Sequence, residues 1–265
     1  MTQLLATPAS YWRSSRSHRY SLLFALPLLL TYEALVVLLS HGPNAGIRNG
    51  ADVILQDFFY TIAGPYGPIL FGICLMGGGA WLVVRDLRAH GMRLRWSVFP
   101  WMLLESLALA IVFGVVVAAI TARVVAPLSH LMGSSSAVST TASTAASALA
   151  LAPVDRLGWW TRLMVSVGAG LYEELLFRVI LVSGLMFVGE RVFRWRPVTA
   201  GICAAVVSAL VFSAFHYVGR YGDVLQLRSF IFRAIAGLAF SALYLLRGFG
   251  ITAWTHALYD VLLLV

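Results

Sequence analysis

Seven runs of mostly apolar residues, at about 22–39, 67–84, 99–120, 159–189, 198–217, 230–246 and 251–265, leave little polar chain between them. A hydrocarbon core about 30 Å thick takes about 20 helical residues to cross, so runs of this length read as membrane spans. The chain is 11% charged and 60% hydrophobic, whereas a soluble domain is about 25% charged and would have no way to cover so much apolar surface in water. The sequence therefore predicts an all-α, polytopic transmembrane bundle of about seven spans. Eight is the alternative if 51–62 also enters the membrane. Residues 1–265 are expected to form a single integral membrane domain.

The net charge of +8 comes from arginine alone, since the 19 basic residues include no lysine. A basic chain can signal nucleic acid, but these arginines stand at the ends of apolar runs. Arg13, Arg16 and Arg19 come first, then Arg85, Arg88, Arg93 and Arg95, then Arg191, Arg194 and Arg196. That is the positive-inside pattern, and it predicts a cytoplasmic N-terminus in a multi-pass cell-membrane protein, with a bacterial inner membrane as the expected location and no nucleic-acid partner. Arg247 falls on the same side, while Arg220, Arg228 and Arg233 fall outside it. The first apolar run is too long for a secretory signal, carries Pro27 and Glu33, and lacks a small-x-small cleavage site. Residues 133–150 are almost entirely Ser, Thr and Ala and are expected to form a flexible external loop with little to bury. Cys74 and Cys203 lie in separate apolar runs and read as small packing residues.

An ionisable side chain inside a span costs about 2.5–3.5 kcal/mol on insertion scales, so each needs a partner or a purpose. Such groups concentrate late in the chain, in Tyr172-Glu173-Glu174-Leu175-Leu176-Phe177-Arg178, in Phe212-Ser213-Ala214-Phe215-His216 and in His256-Ala257-Leu258-Tyr259-Asp260. Glu174 and Arg178 are four apart and can pair on one helix face, and His256 and Asp260 are neighbours one turn apart. Glu173 points about 100° away from Glu174, free to face a cavity as a general base. Glu33 and Glu105, isolated in earlier spans, are expected to act as polar contacts between helices, and Tyr172, Phe212, Trp159 and Trp160 as packing and interfacial residues. Adjacent carboxylates, two histidines and a further carboxylate on three helices exceed what packing requires.

Taken in order, Glu173-Glu174-x-x-x-Arg178, Phe212-x-x-x-His216 and His256-x-x-x-Asp260 resemble the CPBP family, the CAAX proteases and bacteriocin-processing enzymes also called the Abi family. The resemblance covers about 159–265, which is the expected catalytic core. It implies a glutamic-type intramembrane endopeptidase that needs no cofactor and acts on protein or peptide substrates in the bilayer. Glu173 would be the general base and His216 its partner in activating a water. Glu174 and Arg178 would order their helix, while His256 and Asp260 would stabilise the oxyanion. Many family members carry Asn where this chain has Asp260. An ionised Asp only accepts hydrogen bonds, so Asp260 is expected to accept from His256 and orient it.

At about 1.5 Å per helical residue, Glu173 lies about 21 Å from the outer face, Asp260 about 14 Å from the inner face and His216 about 27 Å from the inner face. The His216 depth fits poorly with the others, and the site is expected to open to the cytoplasm. Two other chemistries use the same residues. A zinc hydrolase would take its ligands from the two histidines and the carboxylates. A transporter or scaffold would need a polar path reaching both faces. The sequence identifies neither the substrate nor the oligomeric state.

Overall fold

The computed structural model describes residues 8–41, 45–91, 93–131, 157–219 and 222–264. Among these every regular element is helical: α1 (Pro8–Ser15), α2 (His18–Leu38), α3 (Gly50–Ala63), α4 (Gly67–His90), α5 (Val98–Leu131), α6 (159–191), α7 (Pro197–Phe215), α8 (Leu227–Arg247) and α9 (Phe249–Leu264). The result is an all-α bundle whose helices α2 and α4–α9 coincide with the seven apolar runs. Five helical stretches are long and apolar enough on their own to cross a membrane: His18–Leu38, Gly50–His90, Val98–Pro127, Pro197–Phe215 and Leu227–Arg247. Helix α9 is apolar but shorter. Residues 51–62 form α3, which a 3-10 turn over Gly64–Tyr66 joins to α4. The expected loop at 133–150 lies outside the described residues.

Side chains sort by environment as a bilayer demands. Val115, Val198 and Ile202 are 60–73% exposed, which is affordable only where lipid replaces water. Serines, threonines and charged groups turn inward, among them Asp52, Ser106, Glu174, Arg178 and Thr252.

The bundle has two distinct ends. At one, Arg19 donates to the Gly91 carbonyl at 2.7 Å, the Arg95 backbone N–H donates to the Tyr20 hydroxyl at 2.7 Å, and the Gly250 N–H donates to Ser21 Oγ at 2.7 Å. These contacts gather the starts of α2, α5 and α9 around the end of α4. Arg247 closes the same end by a two-pronged ion pair with Glu105, 2.6 Å at both oxygens, while also donating to Ser15 and stacking over Trp12. Tyr11 donates to the same Glu105, so α1 is tied down onto α5 and α8. We refer to this as the arginine end. At the opposite, far end Gly50 meets the Phe215 ring, and the Ser213 hydroxyl donates to the Phe230 carbonyl at 2.7 Å. These contacts bring together the segment before α3, the end of α7 and the start of α8.

Helix α6 is the axis, touching α2, α3, α7, α8 and α9. Its middle is wound as π-helix over Ala169–Glu173 and Leu175–Val182. Such windings are rare and recur at functional sites. Helix α9 reaches α6 almost backbone to backbone at Gly170, where a Cβ would stand 2.5 Å from the Ala253 carbonyl oxygen and 2.6 Å from Ala257. Small residues permit such approach in membrane bundles, where packing rather than hydrophobicity drives association. Gly170→Ala should push α9 off α6 and cost about 1–3 kcal/mol of overpacking. Thermal unfolding in detergent should show a lowered midpoint for this variant, and an unchanged midpoint would mean that the two helices relax apart freely.

Candidate active site

The three polar clusters of the sequence converge where α6, α7 and α9 meet. Glu174 and Arg178 lie one turn apart on α6 and form an ion pair at 3.1 Å, both side chains fully buried. The other oxygen of Glu174 takes a hydrogen bond from His256 Nδ1 at 2.7 Å. Since a carboxylate only accepts, Nδ1 carries the proton. His256 Nε2 then faces Asp260 at 3.7 Å, beyond hydrogen-bond length. The primary partner of His256 is thus Glu174 on another helix, with Asp260 a second, looser neighbour. Phe240 stacks on the His256 ring at 4.3 Å, and the Arg178 guanidinium lies over Phe212 at 4.5 Å and Phe240 at 5.5 Å.

Glu173 is set apart from this pair. It is buried, and Asn49 Nδ2 donates to it at 3.0 Å. Its charge interacts with those of His216, His256 and Arg178. His216 follows the last residue of α7, half-buried, with its ring against Phe212 at 4.9 Å. His216 Nδ1 lies 2.8 Å from the Phe212 carbonyl, which only accepts, so Nδ1 carries a proton and Nε2 is the nitrogen left for other chemistry. Glu173, Glu174, Arg178, His216, His256 and Asp260 therefore belong to one connected neighbourhood.

Asn49 is the residue that sequence reasoning missed. Its Oδ1 caps α3 by accepting from the Ala51 N–H at 2.9 Å, which leaves the amide nitrogen to face Glu173. Its own N–H donates to the Tyr32 hydroxyl at 3.1 Å, and that hydroxyl donates to Asp52 at 2.8 Å. Asp52 also receives Arg48 at 2.8 Å and Gln56 at 2.6 Å. Arg48 reaches Glu33 at 3.2 Å, and Glu33 accepts from Tyr172, the neighbour of Glu173, at 2.7 Å. Burial opposes the charge on Arg48, but Asp52, Tyr32 and Glu33 outweigh it and raise its affinity for the proton. Gly168 makes the arrangement sterically possible, because a Cβ there would stand 2.5 Å from the Tyr32 ring and 2.9 Å from Asn49 Cβ. The available signal was Arg48-Asn49-x-x-Asp52, an N-cap followed by an i, i+4 ion pair at a helix start.

Fold and site together define a polytopic membrane protein with buried carboxylates and histidines assembled on separate helices. Residues 155–262 match the family described as Type II CAAX prenyl endopeptidase Rce1-like. That stretch is similar to the CPBP family of membrane-embedded proteases, and the likeness supports a membrane-embedded hydrolase. No curated protein and no solved structure gives a significant match.

Arg178→Ala should be the most destructive substitution in the neighbourhood. It strands Glu174 in a dry interior, where breaking a buried pair costs about 3–5 kcal/mol. The expected result is a lower unfolding midpoint and poor yield in detergent, with activity lost as a consequence. A variant of wild-type stability would show that Glu174 finds another partner.

Proposed function

We propose that the chain is an intramembrane endopeptidase in which Glu173 is the general base, His216 its partner, His256 and Asp260 the oxyanion support, and Glu174 and Arg178 the frame. The observation that carries this reading is the division of labour between adjacent carboxylates. Glu174 is consumed by Arg178 and His256, whereas Glu173 accepts only from Asn49 among the described residues and its charge interacts with that of His216. A water between Glu173 and His216 Nε2 loses its proton to Glu173 as its oxygen adds to the scissile carbonyl carbon. Negative charge then gathers on the carbonyl oxygen, where a protonated His256 presents Nε2–H beside Asp260. Collapse breaks the C–N bond, and the proton held by Glu173 passes to the leaving nitrogen.

Two features weigh against the rival chemistries. Among the described residues no three His, Cys, Asp or Glu side chains are grouped as a metal-ligand set. A transporter needs polar groups leading to both faces. The chain of groups from Glu173 runs through Asn49, Tyr32 and Asp52 to Arg48 and Glu33 at the far end. Toward the arginine end the core presents Ala25, Leu28, Ile251 and Ala253 instead.

Glu173→Gln is nearly isosteric and removes the base, so turnover of a cleaved membrane protein should fall by about two to four orders of magnitude. The unfolding midpoint should hardly move, and near wild-type turnover would exclude Glu173 as the base. Activity of the purified wild-type protein should also survive exhaustive chelation, measured by the same cleavage assay. Loss on chelation with recovery on adding zinc would replace this mechanism with a metal-assisted one.

A further inference from the structure

Helix capping accounts for only half of Asn49. Its Oδ1 accepts the Ala51 N–H at 2.9 Å, and Ser, Thr or Asp would start α3 about as well. What those residues lack is an amide nitrogen pointing the other way. The Ala51 N–H can only donate, so Oδ1 is the atom that faces it and Nδ2 the atom 3.0 Å from Glu173 Oε1. Asn49 is 3% exposed, and a buried amide donor is tolerated only where an acceptor meets it. The acceptor here is a carboxylate 124 residues away on α6.

The amide is itself held from behind. The Asn49 N–H donates to the Tyr32 hydroxyl at 3.1 Å, and that hydroxyl is fixed by its 2.8 Å bond to the fully buried Asp52. Arg48 and Gln56 hold the same carboxylate at 2.8 and 2.6 Å. Gly50 packs so closely on Phe215 that a Cβ there would stand 3.0 Å from the ring, and Phe215 precedes His216. One short segment, 48–52, therefore braces both Glu173 on α6 and the end of α7 that carries His216. This segment lies outside 155–262, the stretch that matches the family.

We propose that Asn49 is a positioning residue for the reaction: its amide fixes Oε1 of Glu173 and so presents Oε2 to the attacking water. This inference rests on the endopeptidase reading and adds to its site a residue from outside the family-like stretch. A glutamate side chain loses much rotamer freedom when it is ordered, and a general base works only within hydrogen-bond reach of the proton it takes. A neutral donor supplies that order without a second cation. An arginine in its place would lock the carboxylate into an ion pair, as Arg178 does with Glu174 at 3.1 Å.

The test uses the full chain in detergent and a synthetic peptide spanning a terminus that the wild type, and not Glu173→Gln, generates from host membrane proteins. Asn49→Ser keeps a capping oxygen and loses the donor, while Asn49→Asp also keeps the shape but turns a second carboxylate on Glu173. Asn49→Ser should unfold near the wild-type midpoint, lower kcat by about 10- to 100-fold, the scale of a misplaced reacting group, and leave KM nearly unchanged. Asn49→Asp should lower kcat at least as far, and it decides the matter if the serine variant fails to fold. Added to Glu173→Gln, Asn49→Ser should cost no further turnover, because a positioning residue acts only through the group it positions. A folded Asn49→Ser or Asn49→Asp with wild-type kcat overturns the proposal and leaves Glu173 as the base. A loss that multiplies onto that of Glu173→Gln overturns it too, since a merely structural brace weakens both backgrounds alike, and so does unfolding of both Asn49 variants. If wild type and Glu173→Gln yield the same termini, the endopeptidase reading itself falls, and the positioning role with it.

Discussion

A guanidinium with no exposed surface sits at the centre of the molecule, and the arrangement of four helices follows from the need to keep it charged there. Arg178 cannot shed its proton, and an unpaired ion of this size would lose several kcal/mol on leaving water. The compensation comes from separate elements: Glu174 on α6 at 3.1 Å, the Gly237 carbonyl of α8 at 3.5 Å, and the ring faces of Phe212 on α7 and Phe240 on α8. Glu174 then recruits His256 from α9, and Phe240 covers that imidazole as well. Removing any one helix would leave a charged group without its partner. The ionic centre therefore specifies the assembly as much as it stabilises it.

That same centre determines what is left for Glu173. Adjacent residues on a helix diverge, so a partner that holds Glu174 cannot hold Glu173. The π winding on both sides of Glu174 reshapes this stretch of α6, and the close approach of α9 at Gly170 brings His256 within reach. Glu173 is directed instead toward the far end, where Asn49 meets it.

Helical spacing made part of this legible in the sequence. Glu174 and Arg178, and His256 and Asp260, stand at i, i+4, and the apolar runs locate the helices that carry them. Spacing within one helix says nothing about contacts between helices. That is why Asp260 looked like the partner of His256 when Glu174 holds its Nδ1 at 2.7 Å. Asn49 was hidden for a related reason. It lies 124 residues from Glu173 in a polar connection, where hydropathy predicts solvent. The π winding was equally hidden, because an apolar segment reads the same in either winding and tertiary contacts select between them. The depth mismatch at His216 was in fact informative. It arose from counting along α7 from Val198, and α7 does carry His216 to the end opposite the arginine clusters.

A buried arginine also pairs with a half-buried glutamate at the arginine end, and the contrast between the two places shows why one of them reads as chemistry. Glu105 has both oxygens committed, one to Arg247 Nε and the other to Arg247 Nη2 and the Tyr11 hydroxyl. A carboxylate so engaged is a clasp: it fastens α1, α5 and α8, and both of its oxygens are taken. At the site the clasp is made by Glu174, and the second carboxylate beside it is left over. Among the described residues Asn49 supplies the hydrogen bond to Glu173, which leaves lone pairs of that carboxylate for an acidic proton. Structural need accounts for Arg178, Glu174 and His256. It does not account for Glu173 and His216, whose burial costs free energy that the assembly does not require. Two such groups, close enough for their charges to interact, beside a finished ionic clasp are the reason to propose a reaction for the neighbourhood.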